Sequence, residues 1–287
     1  CGSGLEAIVT AARQIQTGEN EVAVAGGAES MSQSPYVAKS ARWGQRMGDA
    51  QLVDWMTAAL ADPFDGQHMG VTAERIAERW SLSRELQDAY ALESHRRASA
   101  AITAGRFKDQ ILPIELKSKK GTVVFDTDEH VRMNATIDDM TKLRTVFQKD
   151  GTVTAGNASG LNDAAAATVL MERSVAEKKG LKPLARLVAY GHAGVDPKIM
   201  GIGPVPAVQN AMKRAGLTVA QMDVIESNEA FAAQACAVAR DLGFDAAKTN
   251  PNGGAIALGH PIGATGCLIT IKALYELQRI GGRYALV

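Results

Sequence analysis

A histidine lies in a glycine-rich stretch near the end of the chain, which runs from Asn252 to Gly266. Glycines allow turns and close backbone approaches that a Cβ atom would forbid. His260 lies between Gly259 and Pro261, and an apolar pattern with helical spacing begins after it at Leu268. The stretch therefore predicts a rigid loop that presents His260 just ahead of a helix. A lone histidine in a loop is more often structural, so its chemistry depends on partners elsewhere in the chain.

A cysteine opens the chain and precedes a second helical pattern. The apolar residues of that pattern are Leu5, Ile8, Val9, Ala12 and Ile15. They predict a helix from about Gly2 to Thr17 that stops at Gly18. The positive end of a helix favours a thiolate, and cysteine pKa values at such sites fall to about 3.5–7.5. Cys1 is therefore a candidate nucleophile for acyl transfer from a thioester.

The other candidate groups follow from what such a nucleophile needs. His260 is the natural base for Cys1, by analogy with other cysteine–histidine pairs. Asn228, in the segment from Ser227 to Ala232, cannot titrate, so we expect it to position other groups. The neighbouring Glu229 is predicted to be structural, because acyl transfer to sulfur needs no carboxylate.

Two further cysteines, Cys236 and Cys267, lie within helical patterns. The common role of a cysteine in such a pattern is that of a small buried apolar residue. Three scattered cysteines are too few for a disulfide framework or a zinc site, and we predict no metal site. They fit a reduced, cytoplasmic compartment.

The composition is that of a globular protein with room for more than one domain. Of the 287 residues, 46% are hydrophobic and 22% charged, and the formal net charge is zero. This balance predicts neither nucleic-acid binding nor membrane binding. No apolar run approaches the length that spans a membrane.

Strand and helix patterns alternate along the chain and predict an α/β fold with a largely buried, parallel sheet. The predicted strands are 21–26, 123–125, 182–190, 222–226 and 284–287. The predicted helices include one from an N-cap at Ser83 to about Ala104 and one that begins at Gly203-Pro204. The charge run 117–120 is predicted to be a solvated turn. The order helix, glycine, strand occurs near both ends and indicates a weak internal repeat.

Five segments in order along the chain resemble the thiolase family, the coenzyme A-dependent acyltransferases that make or cleave β-ketoacyl thioesters. The matching segments are Cys1-Gly-Ser-Gly-Leu-Glu-Ala7, His68-Met-Gly70, Gly156-Asn-Ala-Ser-Gly-Leu-Asn-Asp163, Asn228-Glu-Ala-Phe231 and Gly259-His-Pro-Ile-Gly-Ala-Thr-Gly266. The chain looks closest to short-chain, biosynthetic β-ketothiolases of bacteria, which serve short-chain fatty acid or polyhydroxyalkanoate metabolism.

The resemblance implies a thiolase-like fold of two related βα halves in αβαβα layers with an inserted loop domain. Residues 1–30, together with 162–182, would belong to the N-terminal half. Residues 31–161 would form the loop domain that covers coenzyme A, and residues 183–287 the C-terminal half. The family pattern also includes a segment before Cys1 and a second catalytic cysteine in a Cys-x-Gly motif. We expect both outside the 287 residues, so the chain is predicted to be an internal fragment that is inactive and aggregation-prone when made alone.

The resemblance also assigns site residues. Cys1 would be the nucleophile, and His260 the base and a donor to the thioester oxygen. Asn228 would hold a water that completes the oxyanion site. The residues expected to bind coenzyme A are His68, Met69, Arg132 and Ser159. The remaining histidines, His95, His130 and His192, match no motif and are predicted to be surface or local structural residues.

The predicted function is that of a β-ketothiolase, an acetyl-CoA acyltransferase that forms a cysteine acyl-enzyme. It would condense acetyl-CoA with an acyl-CoA, or cleave 3-ketoacyl-CoA with coenzyme A, on short chains of four or five carbons. Coenzyme A would be a substrate and not a resident cofactor. The expected assembly is a homotetramer, a dimer of dimers held through the region after Ser30. The alternatives are an inactive homologue that binds coenzyme A or lipid, and an N-terminal-nucleophile hydrolase in which the α-amine of Cys1 is the base.

Overall fold

The computed structural model describes all 287 residues. Its α-helices are α1 (Ser3–Gln16), α2 (Trp55–Ala59), α3 (Met69–Arg79), α4 (Arg84–Thr103), α5 (Ile137–Thr141), α6 (Arg173–Lys178), α7 (Pro204–Ala215), α8 (Ala232–Leu242), α9 (Ala255–Leu258) and α10 (Thr265–Ile280). Its strands are β1 (Val22–Ser30), β2 (Tyr36–Val37), β3 (Val53–Asp54), β4 (Ile114–Ser118), β5 (Gly121–Phe125), β6 (Asp163–Met171), β7 (Val224–Ile225) and β8 (Ala285–Leu286).

The strands form four two-stranded pairs. The longest joins β1 to β6 in antiparallel register, from Val22 opposite Met171 to Ser30 opposite Asp163. β7 and β8 are parallel neighbours, and the pairs β2–β3 and β4–β5 are antiparallel. The β4–β5 hairpin is exposed along its whole length.

The centre of the fold is formed by α1 and α10, which pack against each other and against the β1–β6 pair. α1 has a buried stripe at helical spacing that includes Ile8, Val9 and Ala12. Ile8 shares a core cluster with Ala25 of β1 and Cys267 of α10. Shortening a buried isoleucine to alanine costs about 2–5 kcal/mol, so this cluster fixes how the two helices approach each other.

Several predicted elements are confirmed. α1 follows the predicted bounds and stops before Gly18, whose φ is 77°. Ser83 is the N-cap of α4, and its hydroxyl accepts a hydrogen bond from the amide of Leu86 at 3.3 Å. β5, α7 and β7 lie where the patterns place them.

Other expectations are wrong in instructive ways. The stretch 182–190 forms no strand, because none of its residues pairs with a neighbouring strand, and most are exposed. β1 is longer than the predicted 21–26 and is antiparallel to its partner; only Ala25 is fully buried, while Val24 and Val169 are 72% and 65% exposed. Within the charge run 117–120, Lys117 and Ser118 end β4, and only Lys119 and Lys120 form the turn.

None of the helices combines the length and the apolarity that crossing a lipid bilayer requires.

Candidate active site

Glycines bring the start of α1 against the start of α10. A Cβ on Gly266 would lie 2.2 Å from the amide nitrogen of Leu5, and a Cβ on Gly4 would lie 3.0 Å from the carbonyl oxygen of Gly263. A Cβ at Gly266 would overlap the backbone of Leu5, and one at Gly4 would crowd that of Gly263, so the two helix starts touch backbone to backbone. Cys1 lies just ahead of one helix and His260 just ahead of the other. The two residues line the same large cleft.

Side chains from distant segments hold the loop that carries His260. The amide of His260 donates to Asn162 Oδ1 at 3.0 Å, and the amide of Gly263 donates to Glu29 Oε2 at 2.9 Å. Gly259 has a φ of 107°, and a Cβ there would lie 2.5 Å from Asn162 Cγ. The loop is therefore fixed by contacts with both β1 and the segment before β6.

The hydrogen bonds of His260 determine which ring nitrogen is free. The Thr265 hydroxyl donates to the carbonyl of Pro261 at 2.9 Å and lies 2.8 Å from His260 Nδ1. Since that hydroxyl has one proton, it accepts from Nδ1–H, and the lone pair lies on Nε2. His260 is 6% exposed, and burial lowers its pKa to about 4. At neutral pH the imidazole is therefore uncharged and able to take a proton at Nε2.

Asn228 lies beside this histidine. Its Nδ2 is 3.5 Å from each His260 ring nitrogen, a long contact. Its Oδ1 is buried and accepts no hydrogen bond from the protein. A buried amide oxygen without a donor suits a bound water, since buried polar groups need partners.

Glu229 is held entirely by structural contacts, as predicted. It is 2% exposed, and its oxygens accept from the hydroxyls of Tyr90 and Ser94, the amide group of Asn250 and the backbone of Ile256. These contacts tie α4 and the start of α9 to the loop that carries Asn228.

The predicted coenzyme residues His68 and Ser159 lie along the same cleft, next to the loop of Asn228. Ser159 donates its hydroxyl to the carbonyl of Ala230 at 3.0 Å. His68 caps α3, because its Nδ1 accepts from the amide of Gly70 at 3.0 Å, so its proton lies on Nε2. Burial lowers the pKa of His68, which keeps this ring neutral.

Two phenylalanines extend this wall. The ring of Phe147 stacks on His68 with a centroid separation of 4.8 Å and meets Phe231 edge-on at 6.1 Å. A Cβ on Gly70 would lie 2.2 Å from the Phe147 ring, so the glycine of the His68-Met69-Gly70 motif makes room for this stack. Met69 is the first residue of α3 and lines the cleft beside it.

Arg132, the fourth coenzyme residue predicted, does not line the cleft. It is exposed, and its backbone amide donates to His95 Nδ1 at 3.2 Å. His95 is 4% exposed, and burial lowers its pKa to about 4, which marks it as a structural histidine. His130 packs on Gly160, and His192 lies on the surface 2.6 Å from Glu6.

The two remaining cysteines are unreactive because of their buried surroundings. Burial raises the pKa of Cys236 to about 12, and burial also raises the pKa of Cys267, which is completely buried in α10. Both therefore stay protonated thiols at neutral pH.

Three residues of the site were not singled out from the sequence. Asn162 and Thr265 lie inside quoted motifs, and their types, an acceptor amide and a hydroxyl at a helix start, could have marked them as partners of the histidine loop. Phe147 lies in no motif, and only the fold brings it to His68.

Two family models match the chain. The thiolase N-terminal domain matches residues 1–174, and the thiolase C-terminal domain matches residues 181–287. The chain is 70% identical over 288 residues to "Beta-ketothiolase BktB" of Cupriavidus necator, covering all of this chain and 73% of that protein. It is 52% identical over 287 residues to "Acetyl-CoA acetyltransferase" of Shinella zoogloeoides, with the same two coverages.

Solved structures share the fold. Human mitochondrial 3-ketoacyl-CoA thiolase superposes with a TM-score of 0.97 at 49% identity, covering 99% of this chain and 72% of that one. The acetyl-CoA acetyltransferase of Bacillus anthracis gives the same TM-score, identity and coverages. The predicted thiolase-like α/β fold is therefore confirmed, although the strand at 182–190 and the parallel pairing of β1 are not. With both domains matched and relatives this similar across its whole length, the chain belongs to the thiolase family.

Proposed function

We propose that this thiolase works as a short-chain β-ketothiolase with Cys1 as the acyl-carrying nucleophile. The observation that carries the proposal is that Cys1, Asn228 and a neutral, Nδ1-protonated His260 line the same cleft, with Asn228 Nδ2 3.5 Å from the His260 ring. Family membership favours acyl transfer over the N-terminal-nucleophile hydrolase. The presence of all three groups favours an active enzyme over an inactive binding homologue.

The first half-reaction is acylation of Cys1. His260 Nε2 takes the thiol proton, and the Cys1 sulfur attacks the 3-keto carbon of a 3-ketoacyl-CoA. The oxyanion that forms is stabilised by a water held on Asn228 Oδ1 and by the protonated ring of His260. The bond between carbons 2 and 3 then breaks, and its electron pair leaves on the methylene carbon, which takes a proton to give acetyl-CoA.

The second half-reaction returns the acyl group to coenzyme A. The thiolate of coenzyme A attacks the Cys1 thioester, the carbon–sulfur bond to Cys1 breaks, and a shorter acyl-CoA leaves. In condensation, acetyl-CoA attacks instead, after a base removes a proton from its methyl group. Cys236 and Cys267 are poor candidates for that base, because burial raises the pKa of both. The family pattern gives the role to the cysteine of a Cys-x-Gly motif.

Coenzyme A enters as a substrate along the wall formed by His68, Met69, Phe147 and Ser159. The neutral His68 presents Nε2–H as a donor, and the flat Phe147 ring offers an apolar surface to the pantetheine arm. Arg132 lies outside the cleft lining and on the surface, where its guanidinium would lie beside the adenine end of the coenzyme.

A short acyl range follows from the His68-Met69-Gly70 motif and from the small residues of the two catalytic loops. An apolar pocket discriminates one methylene by only about 1–3 kcal/mol, so four-carbon and five-carbon substrates are both expected.

The test is acylation of the full-length protein. Incubation with acetyl-CoA should place one acetyl group on Cys1, found by peptide mass analysis and absent from Cys1→Ser. In the same preparation, thiolysis of acetoacetyl-CoA and 3-ketovaleryl-CoA should be faster than thiolysis of a ten-carbon 3-ketoacyl-CoA.

Acetylation that persists in Cys1→Ser, or that appears only on Cys236 or Cys267, would refute the nucleophile. A preference for the ten-carbon substrate would refute the short acyl range and leave the nucleophile standing.

We also propose a cytoplasmic homotetramer, a dimer of dimers. The region after Ser30 exposes large apolar side chains, with Trp43, Met47 and Leu52 at 88%, 104% and 65% exposure. Several large apolar side chains exposed within one short segment support the proposal that this segment lies at a protein interface. Light scattering of the full-length protein measures the assembly, and a monomer would contradict it.

A further inference from the structure

A buried lysine on α10 lies among carboxylates and has no part in the reaction described above. Lys272 is 9% exposed, while Glu226 and Glu276 are 1% and 4% exposed. The Lys272 ammonium donates to Glu226 Oε2 at 2.8 Å and to the carbonyl oxygen of Gly253 at 2.7 Å. Burial raises the pKa of Glu226, and the nearby charge of Lys272 opposes that shift.

The two acceptors belong to the backbone segments that lead into the candidate catalytic loops. Glu226 follows β7 and stands two residues before Asn228. Gly253 belongs to the turn that leads through α9 to His260, and α10 itself begins at Thr265, the partner of that histidine. One ammonium group therefore joins the strand before Asn228 to the turn before His260.

The turn at Gly253 also packs tightly against α4. Gly253 has a φ of 79°, and a Cβ there would lie 2.7 Å from the carbonyl oxygen of Ser94 and 2.7 Å from Ala98 Cβ, both in α4. The neighbouring Asn252 donates to Glu276 Oε2 at 2.8 Å. The turn is therefore held by Lys272 of α10 and by the packing of Gly253 against α4.

Stability alone is a weak reason for such an arrangement. Burying an ion pair costs desolvation that the attraction barely repays, and an apolar pair of similar volume often serves stability as well. What an ammonium adds is several directed donors, which here fix two acceptors from separate segments at one point.

We propose that Lys272 is a positioning residue that sets the distance between Asn228 and His260 by holding Glu226 and Gly253 together. The proposal rests on the roles proposed above for Asn228 and His260. Small displacements of positioned groups cost rate much more than binding. The loss is therefore expected in kcat and not in KM.

The test is steady-state thiolysis of acetoacetyl-CoA by the full-length protein and its variants. Lys272→Met should lower kcat by about ten- to a hundredfold, as expected for misplaced catalytic groups, with KM changed by less than about threefold. The matched control is Lys248→Met. Lys248 donates to the carbonyl of Met222 at 2.9 Å, just before β7 and at the opposite end of the strand from Glu226, and its removal should leave kcat unchanged.

A double variant separates positioning from charge balance. Glu226→Gln with Lys272→Met removes both charges, so its melting temperature should return toward that of the wild type while kcat stays low, because the tie to Gly253 is still lost. Recovery of kcat together with the melting temperature would overturn the proposal, as would a folded Lys272→Met with wild-type kcat. If Lys272→Met fails to fold, the double variant alone decides. A wild-type protein without thiolysis would instead refute the proposed function.

Discussion

The two ends of the cleft are built in different ways. At the end with Cys1 and His260, the backbone of the histidine loop is tied to β1 and to the segment before β6, and His260 is 6% exposed. At the coenzyme end, His68 and Ser159 are only partly buried, and Arg132 is exposed and lies outside the cleft lining. The proposed base is therefore almost fully buried, while the groups proposed to meet the long substrate are more exposed.

This difference matches what each end must do. Proton transfer and attack on a carbonyl need reacting atoms at about 3 Å with aligned orbitals, and errors of 1 Å cost about a hundredfold in rate. A coenzyme arm contacts many residues, so no single contact needs comparable precision. Ordering every contact would also cost side-chain entropy. We therefore expect substitutions near Cys1 and His260 to lower activity more than substitutions near His68, Ser159 and Arg132.

The largest losses are expected at His260. His260→Ala removes the base and one donor to the oxyanion, and general-base catalysis alone contributes about a hundredfold to ten-thousandfold in rate. Asn228→Ala should cost less, about a hundredfold in kcat, since it removes one element of the oxyanion site. Steady-state thiolysis of acetoacetyl-CoA measures both variants, with circular dichroism as the control for folding.

A folded His260→Ala that retained near-normal turnover would contradict this order. His260 would then be a structural residue, and the base for Cys1 would have to be sought elsewhere.

A smaller loss of kcat is expected for substitutions at Thr265, which test how the His260 ring is held. Thr265→Val keeps the shape but removes the acceptor of His260 Nδ1–H, and leaving a buried donor unpaired costs about 1–3 kcal/mol. The Nε2 lone pair is then no longer enforced, so kcat should fall by about tenfold. Thr265→Ser keeps the hydroxyl and should keep the rate; equal rates for Val and Ser would show that Thr265 does not set the tautomer.

The sequence predicts the residues near His260 better than those near His68. The placement of Cys1 and His260 ahead of helix starts could be predicted, because glycines and helix starts impose local geometry that a motif records; the catalytic roles of Cys1, Asn228 and His260 stay predictions. Thr265 and Asn162 lie in those motifs, but their hydrogen bonds depend on how the segments meet. Phe147 could not be predicted, since only the packing of α3 against a distant loop brings it to His68.

The predicted strand at 182–190 and the predicted parallel pairing fail for a related reason. The stretch 182–190 has an apolar pattern typical of a strand, yet a strand exists only where a neighbour pairs with it, and here none does. Likewise, alternating β and α patterns favour parallel pairing, but β1 and β6 are far apart in sequence and meet antiparallel. Residue pattern gives the type of an element, and tertiary contacts give its partner and direction.

The smallest effect is expected at Arg132, the most exposed of the predicted coenzyme residues. A solvent-exposed ion pair contributes about 0.2–1 kcal/mol, so Arg132→Ala should raise the KM for coenzyme A by about 1.4-fold to fivefold and leave kcat unchanged. Because such a contact is screened by ions, the effect should shrink as salt is raised toward about 1 M, where the screening length is about 3 Å.

The matched control is Arg96→Ala. The Arg96 side chain is 67% exposed on α4 next to His95, and its removal should leave KM unchanged. A fall in kcat for Arg132→Ala at constant KM would mean that the Arg132 side chain acts on the chemistry, and the contrast between the two ends of the cleft would then be wrong.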